Sequence, residues 1–371
     1  MSQGFGSRAF DKGTTNRARS IVQRDQKLNW KLFSDDIVSL QYEMCLAVSA
    51  APSEHSWVGL VLLMEVDPRV GRPAVKDMNF AAIVGSGGDR AVQKTDDDAA
   101  GSKLSAVLRG YYEDEWLPKL YAKPPVFRLP LINIGTYCRV QGINREIAKF
   151  LDTTKDAPLR SIVSLGAGSD SRAFHLLNQY SNLEYYELDF EVKTSQKQRA
   201  IDAHAPLKQI QEAGRYHLLA ADLRQIDAVD LSFGGQPVLL ISECCLCYLP
   251  LKESDAVLRY FASKCEKLAV AIYEPMSLHD EFGRVMAENM AQRGLVIPTL
   301  EHYADLAAQR QRLLDNALLT TAHAVDINTV FAEWLTPEDR QRIRRLEFLD
   351  EVEEMQLLLK HYCIAWGERN I

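Results

Sequence analysis

The sequence predicts an α/β fold in which a mostly parallel sheet carries helices on both faces. Between residues 162 and 273, apolar runs of strand length alternate with polar or amphipathic stretches of helical length. A glycine-rich turn follows the first of these runs, and the second run ends on a carboxylate. Two further strand-like runs near the C-terminal end predict an antiparallel hairpin that completes the sheet.

The composition and the charge limit the classes of protein to consider. Of the 371 residues, 47% are apolar and 25% are charged, which is ordinary for a soluble globular protein. The net charge of −7 gives no reason to expect nucleic acid as a partner. No apolar run approaches the roughly 18 residues of a membrane span. The 7 cysteines lie mostly in apolar runs and indicate reduced thiols, and hence a cytoplasmic protein.

The first part of the chain fits the α/β pattern poorly. Residues 1–95 combine a basic start, scattered prolines and a Gly-Ser-Gly-Gly segment, without clear periodicity. We therefore predict a poorly ordered or atypical N-terminal extension over residues 1–95 and a folded domain over residues 96–371. Helices expected at about 103–150 precede the first strand, so we expect them to form a lid over the strand ends.

The elements of the folded domain can be assigned in order. The predicted strands cover residues 162–165, 185–189, 217–221, 237–247, 268–273, 320–326 and 361–366. The predicted helices cover residues 96–109, 115–121, 132–151, 191–203, 252–264, 280–293, 300–316, 328–334, 337–346 and 351–359, with one more through 174–177. The regular alternation up to residue 273 is the reason for expecting parallel strands.

A nucleoside site is predicted at the turn after the first strand. Gly166-Ala167-Gly168 lets the backbone turn sharply and leaves the main chain open to a ligand. Asp189 ends the second strand, where a carboxylate accepts hydrogen bonds from ribose hydroxyls or, alternatively, caps the next helix. The third glycine of a dinucleotide fingerprint would fall at Ser171, so a pyrophosphate is disfavoured. A nucleoside without phosphates, such as S-adenosylmethionine, fits better.

Further candidate residues follow the other strands or precede the sheet. Ligands bind beyond the carboxyl ends of parallel strands, where Asp222-Leu223 and Tyr248 are expected, although Asp222 could cap a turn and Tyr248 could belong to the core. Glu243 lies inside the most apolar run, so its charge must be paired or functional. Arg139 carries a guanidinium that suits a carboxylate, or else its stem covers apolar surface.

The segment Cys244-Cys245-x-Cys247 could suggest a metal site. It lies within the predicted fourth strand and has no second cysteine pair or histidine pair at zinc spacing. We therefore expect no metal.

Motifs in order along the chain resemble those of the leucine carboxyl methyltransferase family, from about residue 96 to residue 366. One of them is Leu165-Gly-Ala-Gly-Ser-Asp170. The other matching segments are residues 102–112, 137–142, 187–190, 221–224, 242–248, 273–275, 280–290, 346–351 and 361–366. Residues 1–95 depart from the family pattern, and no role is assigned to them.

The resemblance implies a Rossmann-like fold and S-adenosylmethionine as the cofactor. It also implies the reaction, which is methyl esterification of the α-carboxylate of the C-terminal leucine of the protein phosphatase 2A catalytic subunit. The expected partner is that subunit, held by its C-terminal tail and also by its folded surface. The protein itself is expected to be a cytoplasmic monomer, without nucleic acid or membrane partners.

Residue roles are implied by the same resemblance. The methionine carboxylate of the cofactor is expected at Lys103 and Arg139, and the rest of the methionine portion along Gly166, Ala167 and Gly168. The ribose is expected at Asp189, and the adenine at Asp222 and Leu223. Glu243 is expected near the amino group or the reacting end of the cofactor. Arg139 and Glu243 are expected to lie closest to the chemistry, and Tyr248 on the side of the substrate. The alternatives are an O-methyltransferase of a small-molecule carboxylate, a non-catalytic cofactor-binding protein, and a nicotinamide oxidoreductase.

Overall fold

The computed structural model describes residues 86–371, with side chains from Gly88 onward. The prediction for residues 1–85 lies outside the described residues. The strands are β1 (Arg160–Leu165), β2 (Leu183–Asp189), β3 (Tyr216–Ala220), β4 (Val238–Glu243), β5 (Leu268–Pro275), β6 (Thr321–Asp326) and β7 (Tyr362–Arg369).

These strands form a mixed sheet in the order β3-β2-β1-β4-β5-β7-β6. Strands β1 to β5 pair in parallel, whereas β7 lies antiparallel between β5 and β6. The predicted mostly parallel sheet with an antiparallel hairpin at its end is confirmed. The strand order reverses direction between β1 and β4, and this reversal opens the crevice in which open α/β sheets bind ligands.

Helices flank the sheet and precede it. They are α1 (Ser86–Leu108), α2 (Leu117–Leu120), α3 (Pro130–Thr153), α4 (Arg172–Gln179), α5 (Glu191–Asp202), α6 (Ala205–Glu212), α7 (Leu251–Lys264), α8 (Glu281–Gln292), α9 (Leu306–Asn316), α10 (Ile327–Thr329), α11 (Pro337–Ile343) and α12 (Val352–Lys360). In this part of the chain, no helix is both long and apolar enough to cross a bilayer.

The first helix starts earlier than the sequence pattern indicates. It begins at Ser86, ten residues before the boundary predicted at residue 96. Its first turns direct polar side chains, among them Asp89, Gln93 and Asp96, toward the cleft described below. An apolar stripe is therefore missing from these turns, and the helical period could not be recognised in them.

The fourth strand is shorter than predicted. The apolar run continues to Cys247, but the strand ends at Glu243, because Cys244 adopts a left-handed backbone with a φ of 52°. Leu246–Tyr248 then form a 3₁₀ turn whose first two residues are buried. Apolar residues extend past the end of the strand because the following turn is also largely buried. An apolar run indicates burial, and it does not distinguish a strand from a buried turn.

Two helices in the second half of the chain also differ from the prediction. Helix α6 was not predicted, since it is only eight residues long and Leu207 is its one buried residue. The helix predicted over residues 300–316 begins only at Leu306, where the Asp305 side chain accepts a hydrogen bond from the backbone of Ala308 at 2.8 Å and caps the helix.

The core lies on both faces of the sheet. Every residue of β1 and β5 is buried, as expected for strands covered by helices on each side. Ile162 points to one apolar cluster, which includes Phe174 of α4, and Val163 points to the other, which includes Phe261 of α7. The rigid sheet thereby fixes the carboxyl ends of β1, β2 and β4, where the functional site lies.

Candidate functional site

A deep cleft opens at the carboxyl ends of β1, β2 and β4, with one side formed by α1. Its walls include residues of the turn after β1, the end of β2, the segment after β3 and the segment after β4. Of the predicted site residues, those that line the cleft are Lys103, Arg139, Gly166, Ala167, Asp189, Leu223, Glu243 and Tyr248. Residues as distant in the sequence as Lys103 and Tyr248, which are 145 positions apart, thus line the same cleft.

The glycine turn after β1 is shaped by close contacts that exclude side chains. Gly166 and Gly168 have φ angles of 58° and 48°, in the left-handed region that glycine tolerates best. A Cβ atom on Gly166 would lie 2.6 Å from the Cys245 sulfur, and one on Gly168 would lie 2.2 Å from Asp96 Oδ1. The turn therefore needs glycine at both positions.

Asp189 anchors this turn to the end of β2. Its carboxylate accepts hydrogen bonds from the backbone N–H of Gly168 and of Phe190, each at 2.7 Å. Burial raises the pKa of Asp189, while these two hydrogen bonds oppose that increase. Each carboxylate oxygen keeps a further lone pair, so the group can still accept from a hydroxyl in the cleft.

Five charged side chains form a buried cluster at the end of β4. Lys103 Nζ and Arg139 Nε lie 2.8 Å and 2.6 Å from Glu243 Oε1. Arg172 Nη1 lies 2.5 Å from Glu243 Oε2 and also contacts the Asp170 carboxylate. Lys103 Nζ is 3.6 Å from Asp170. The Arg139 guanidinium stands over the Tyr273 ring, at 5.0 Å from its centroid.

The charges of the cluster stabilise one another. Burial by itself would raise the pKa of Glu243, but Arg172, Lys103 and Arg139 hold it well below its usual value. Burial by itself would also raise the pKa of Asp170, but Arg172 and Lys103 outweigh it and lower the pKa of this carboxyl. Burial likewise disfavours the charged form of Arg172, whereas Asp170 and Glu243 raise its pKa. Both carboxyls are therefore ionised at neutral pH.

The cluster has the chemistry of a site for an α-amino acid group. Its three cations face two carboxylates, so it contains one cation more than anions. A ligand carboxylate would find Lys103 and Arg139 in the cleft wall, and a ligand ammonium would find Glu243. Together with the open glycine turn and Asp189, these residues fit the amino acid and ribose portions of S-adenosylmethionine.

Asp222 occupies a different position from the other predicted residues. Its carboxylate caps the turn that begins at Leu223 and accepts hydrogen bonds from Arg224, at 3.0 Å from the backbone nitrogen and 2.9 Å from Nε. Leu223 and Arg224 line the cleft. Asp222 therefore caps this turn, as the alternative interpretation of the sequence expected. A contact between Asp222 and adenine stays a prediction.

One wall of the cleft, on the side of Tyr248, is largely apolar. It comes from the segment after β4, the end of β5 and the segment after α8. Its residues are Leu249, Pro250, Pro275, Met290, Val296, Ile297 and Pro298. The cleft thus places an apolar surface and a charged cluster around the same space.

Three functional residues were missed in the sequence pattern. Asp170 and Arg172 belong to the charged cluster, and Asp96 accepts hydrogen bonds from the Ser169 backbone at 2.7 Å and from Lys193 Nζ at 2.9 Å. Asp170 stood within a recognised motif, and Arg172 follows it by two residues. An Asp-x-Arg pattern at a strand-to-helix turn was the available signal for both.

The cysteines after β4 are not arranged as metal ligands. Burial raises the pKa of Cys245 and of Cys247 well above the usual value of a thiol, so both are protonated at neutral pH. Among the residues that the structure describes, no group of three or more His, Cys, Asp or Glu side chains could hold a metal ion.

The sheet order and the cleft are those of a Rossmann-like fold, and the family match makes the protein a methyltransferase that uses S-adenosylmethionine. Residues 75–262 match the family model described as leucine carboxyl methyltransferase. The chain belongs to this family, and the corresponding resemblance of its motifs is confirmed. Membership implies an enzyme that methylates a carboxyl group.

Curated relatives support the same assignment. A protein named leucine carboxyl methyltransferase 1 from Aspergillus fumigatus is 40% identical over 333 residues, covering 75% of this chain and 83% of that protein. Its namesake from Yarrowia lipolytica is 37% identical over 315 residues, covering 75% of this chain and 97% of that protein. A homolog from Arabidopsis thaliana is 33% identical over 297 residues, with coverages of 75% and 89%.

Proposed function

We propose that this protein methylates the α-carboxylate of the C-terminal leucine of a protein phosphatase 2A catalytic subunit. The observation that carries the proposal is the apolar wall near Tyr248, which shares one cleft with the charged cluster that fits the cofactor. A C-terminal leucine offers a carboxylate and a branched apolar side chain. Family membership supports the proposal, since it implies transfer to a carboxyl group.

The chemistry requires little acid or base catalysis from the chain. A C-terminal carboxylate has an unperturbed pKa of about 3.5, so it is already the nucleophile at neutral pH. When bound, S-adenosylmethionine supplies a methyl group on a cationic sulfur. We therefore assign Glu243 no role as a general base. Its ionised carboxylate, in contact with Lys103 and Arg139, is suited to orient an ammonium group instead.

What the residues of the chain contribute is placement and the exclusion of water. Lys103 and Arg139 bind a carboxylate on the cofactor side, while the apolar wall near Tyr248 binds the acceptor side chain. Helix α1 forms one side of the cleft, and closure of this space around both ligands would exclude water and strengthen the electrostatic interactions inside it. Attack of an anion on a cation removes both charges, and a dry cleft favours that change over the separated charges.

We further propose a cytoplasmic monomer that binds the folded phosphatase subunit as well as its tail. A short tail is a small handle, so a second contact with the folded subunit would supply additional affinity. Methylation of the whole subunit should be more efficient than methylation of its isolated C-terminal peptide. Equal values of kcat/KM for the two substrates would contradict this proposal.

The test of the main proposal is methyl transfer from labelled S-adenosylmethionine to the phosphatase 2A catalytic subunit. A version of that subunit without its terminal leucine is the matched control. We expect label on the intact subunit and none on the shortened one. Label on neither, with cofactor binding intact, would contradict the proposal and favour a small-molecule carboxylate as the acceptor.

A further inference from the structure

Arg172 is tied to the charged cluster without belonging to the cleft wall. Its Nη1 atom bridges the Asp170 and Glu243 carboxylates, and its Nε atom donates to Asn144 Oδ1 at 3.0 Å. Three elements thereby fix one guanidinium, namely the turn after β1, the end of β4 and helix α3. The residue is only 9% exposed, and it is not among the described residues that line the cleft.

The two oxygens of Glu243 are bound differently. Lys103 and Arg139, which line the cleft, both contact Oε1, while Arg172 contacts Oε2. A ligand carboxylate that enters the cleft therefore competes with Oε1 for Lys103 and Arg139. It does not reach the contact between Arg172 and Oε2.

We propose that Arg172 is a positioning residue that keeps Glu243 in place while Lys103 and Arg139 turn toward the carboxylate of the cofactor. The Arg172 Nη2 atom has no hydrogen-bond partner in the described part of the chain, so the guanidinium has a spare donor for the carboxylates that lose a cation. This inference rests on the cofactor contacts assigned under the proposed function, and it adds a residue that makes none of them.

The charges around Glu243 determine what the loss of Arg172 would do. The groups that face it are Lys103 from α1, Arg139 from α3, Arg172 from α4, Asp170 after β1 and Tyr112 after α1. Without the Arg172 charge, burial and Asp170 act against an ionised Glu243. Its pKa then rises, because both effects favour the neutral acid. A neutral Glu243 attracts the cofactor ammonium less strongly.

The experiment measures binding of S-adenosylhomocysteine by calorimetry between pH 5.5 and pH 7.0, where the ligand ammonium stays protonated. The unaltered protein should bind with a nearly constant Kd over this range. Arg172→Gln should bind about tenfold more weakly at pH 5.5 than at pH 7.0, because removal of the Arg172 charge is expected to raise the pKa of Glu243 to about one unit above pH 5.5. Arg172→Lys restores the charge and should remove this pH dependence.

A structural role alone would weaken binding equally at every pH, so a uniform loss in Arg172→Gln would overturn the inference. A profile equal to that of the unaltered protein would overturn it as well. If Arg172→Gln does not fold, Arg172→Met serves instead, since it also removes the charge but brings no polar group into the buried site. The same weaker binding at pH 5.5 than at pH 7.0 is expected for Arg172→Met, and a pH-independent loss of affinity would overturn the inference.

The same measurement separates this inference from the proposed function. No binding by the unaltered protein would overturn both the cofactor contacts and the role of Arg172. Normal binding with a flat Arg172→Gln profile would overturn the role of Arg172 alone. The acceptor is not present in the experiment, so the identity of the methylated carboxylate has no effect on the result.

Discussion

Among single residues, Arg139 combines a contact to Glu243 with a position in the cleft wall. Replacing it by alanine removes one partner of a buried ion pair and one donor for a ligand carboxylate. We expect Arg139→Ala to weaken binding of S-adenosylmethionine by roughly 10- to 100-fold, as removal of a charged hydrogen bond does. Calorimetric Kd values would check this.

The matched control for that variant is Arg199→Ala, which removes an exposed arginine on α5. Its affinity should stay unchanged. If Arg139→Ala kept its cofactor affinity while methyl transfer fell, Arg139 would instead contact the carboxylate of the acceptor.

Gly168 gives a second prediction at this scale. An alanine there would need a left-handed backbone and would place its Cβ 2.2 Å from Asp96 Oδ1. We expect Gly168→Ala to lower the free energy of unfolding by about 1–3 kcal/mol, as strained backbone positions do, and to abolish cofactor binding. Thermal unfolding and a binding titration would measure the two effects.

Gly214 is the control for backbone strain alone. It also has a positive φ, but no atom lies within 4 Å of the position that a Cβ would take there, and the residue does not line the cleft. Gly214→Ala should lose a little stability and keep its cofactor affinity. Equal losses of affinity in both variants would contradict a specific role of the turn.

Glu243 also predicts how stability depends on pH. Its pKa is lowered in the folded protein, so its contribution to stability is present above its unfolded value of about 4.3 and is lost as the pH falls through the lower folded value. We expect the difference in unfolding free energy between the unaltered protein and Glu243→Gln to shrink below about pH 4. Denaturant unfolding at several pH values would test this, and a difference that grew on acidification would contradict it.

At the scale of elements, the loop between α1 and α2 is held to the sheet region by Asp114. The carboxylate caps α2 through the backbone of Trp116 and Leu117, at 3.0 Å and 2.9 Å, and accepts from Ser171 Oγ at 2.5 Å. It also lies 3.0 Å from His175 Nε2. One buried side chain therefore connects the loop between α1 and α2 to the start of α4.

We expect Asp114→Ala to loosen this loop, because a cap and its other hydrogen bonds are lost together. The cost should be about 1–3 kcal/mol of stability, with faster hydrogen exchange at residues 109–121. Glu113→Ala, which removes the exposed neighbouring carboxylate, should change neither quantity. Unaltered exchange in Asp114→Ala would show that other contacts hold the loop.

Helix α1 is connected to the cleft in a similar way at its start. Arg224 Nη1 and Nη2 each lie 2.9 Å from an oxygen of Asp89, and Asp96 binds the Ser169 backbone and Lys193. These contacts lie partly before residue 96, where the sequence pattern placed the edge of the folded domain.

For the whole molecule, this extent of α1 predicts where the chain can be shortened. A protein that begins at residue 86 retains Asp89 and Asp96, and we expect it to bind S-adenosylmethionine like the full chain. A protein that begins at residue 97 loses both side chains and should bind at least tenfold more weakly, since two charge-assisted contacts at the cleft are absent. Equal affinities would show that the start of α1 does not support the site.

The sequence by itself determined the succession of strands and helices, the glycine turn and the acid at the end of β2. These are local features, because a strand, a tight turn and the residue at a strand end are each specified by neighbouring residues. The mostly parallel sheet followed from them, and the family was recognised from a resemblance of motifs in order along the chain. Glu243 was also recognisable, since a carboxylate in an apolar run needs a partner.

The tertiary structure decided which partners these residues have. Glu243 meets Lys103, Arg139 and Arg172, which come from three helices, and Asp96 meets Ser169 at a separation of 73 positions. The charge of a residue is visible in the sequence, but its contacts depend on how the elements pack. Asp222 pairs with Arg224, two residues along the chain, and its contact with adenine stays a prediction.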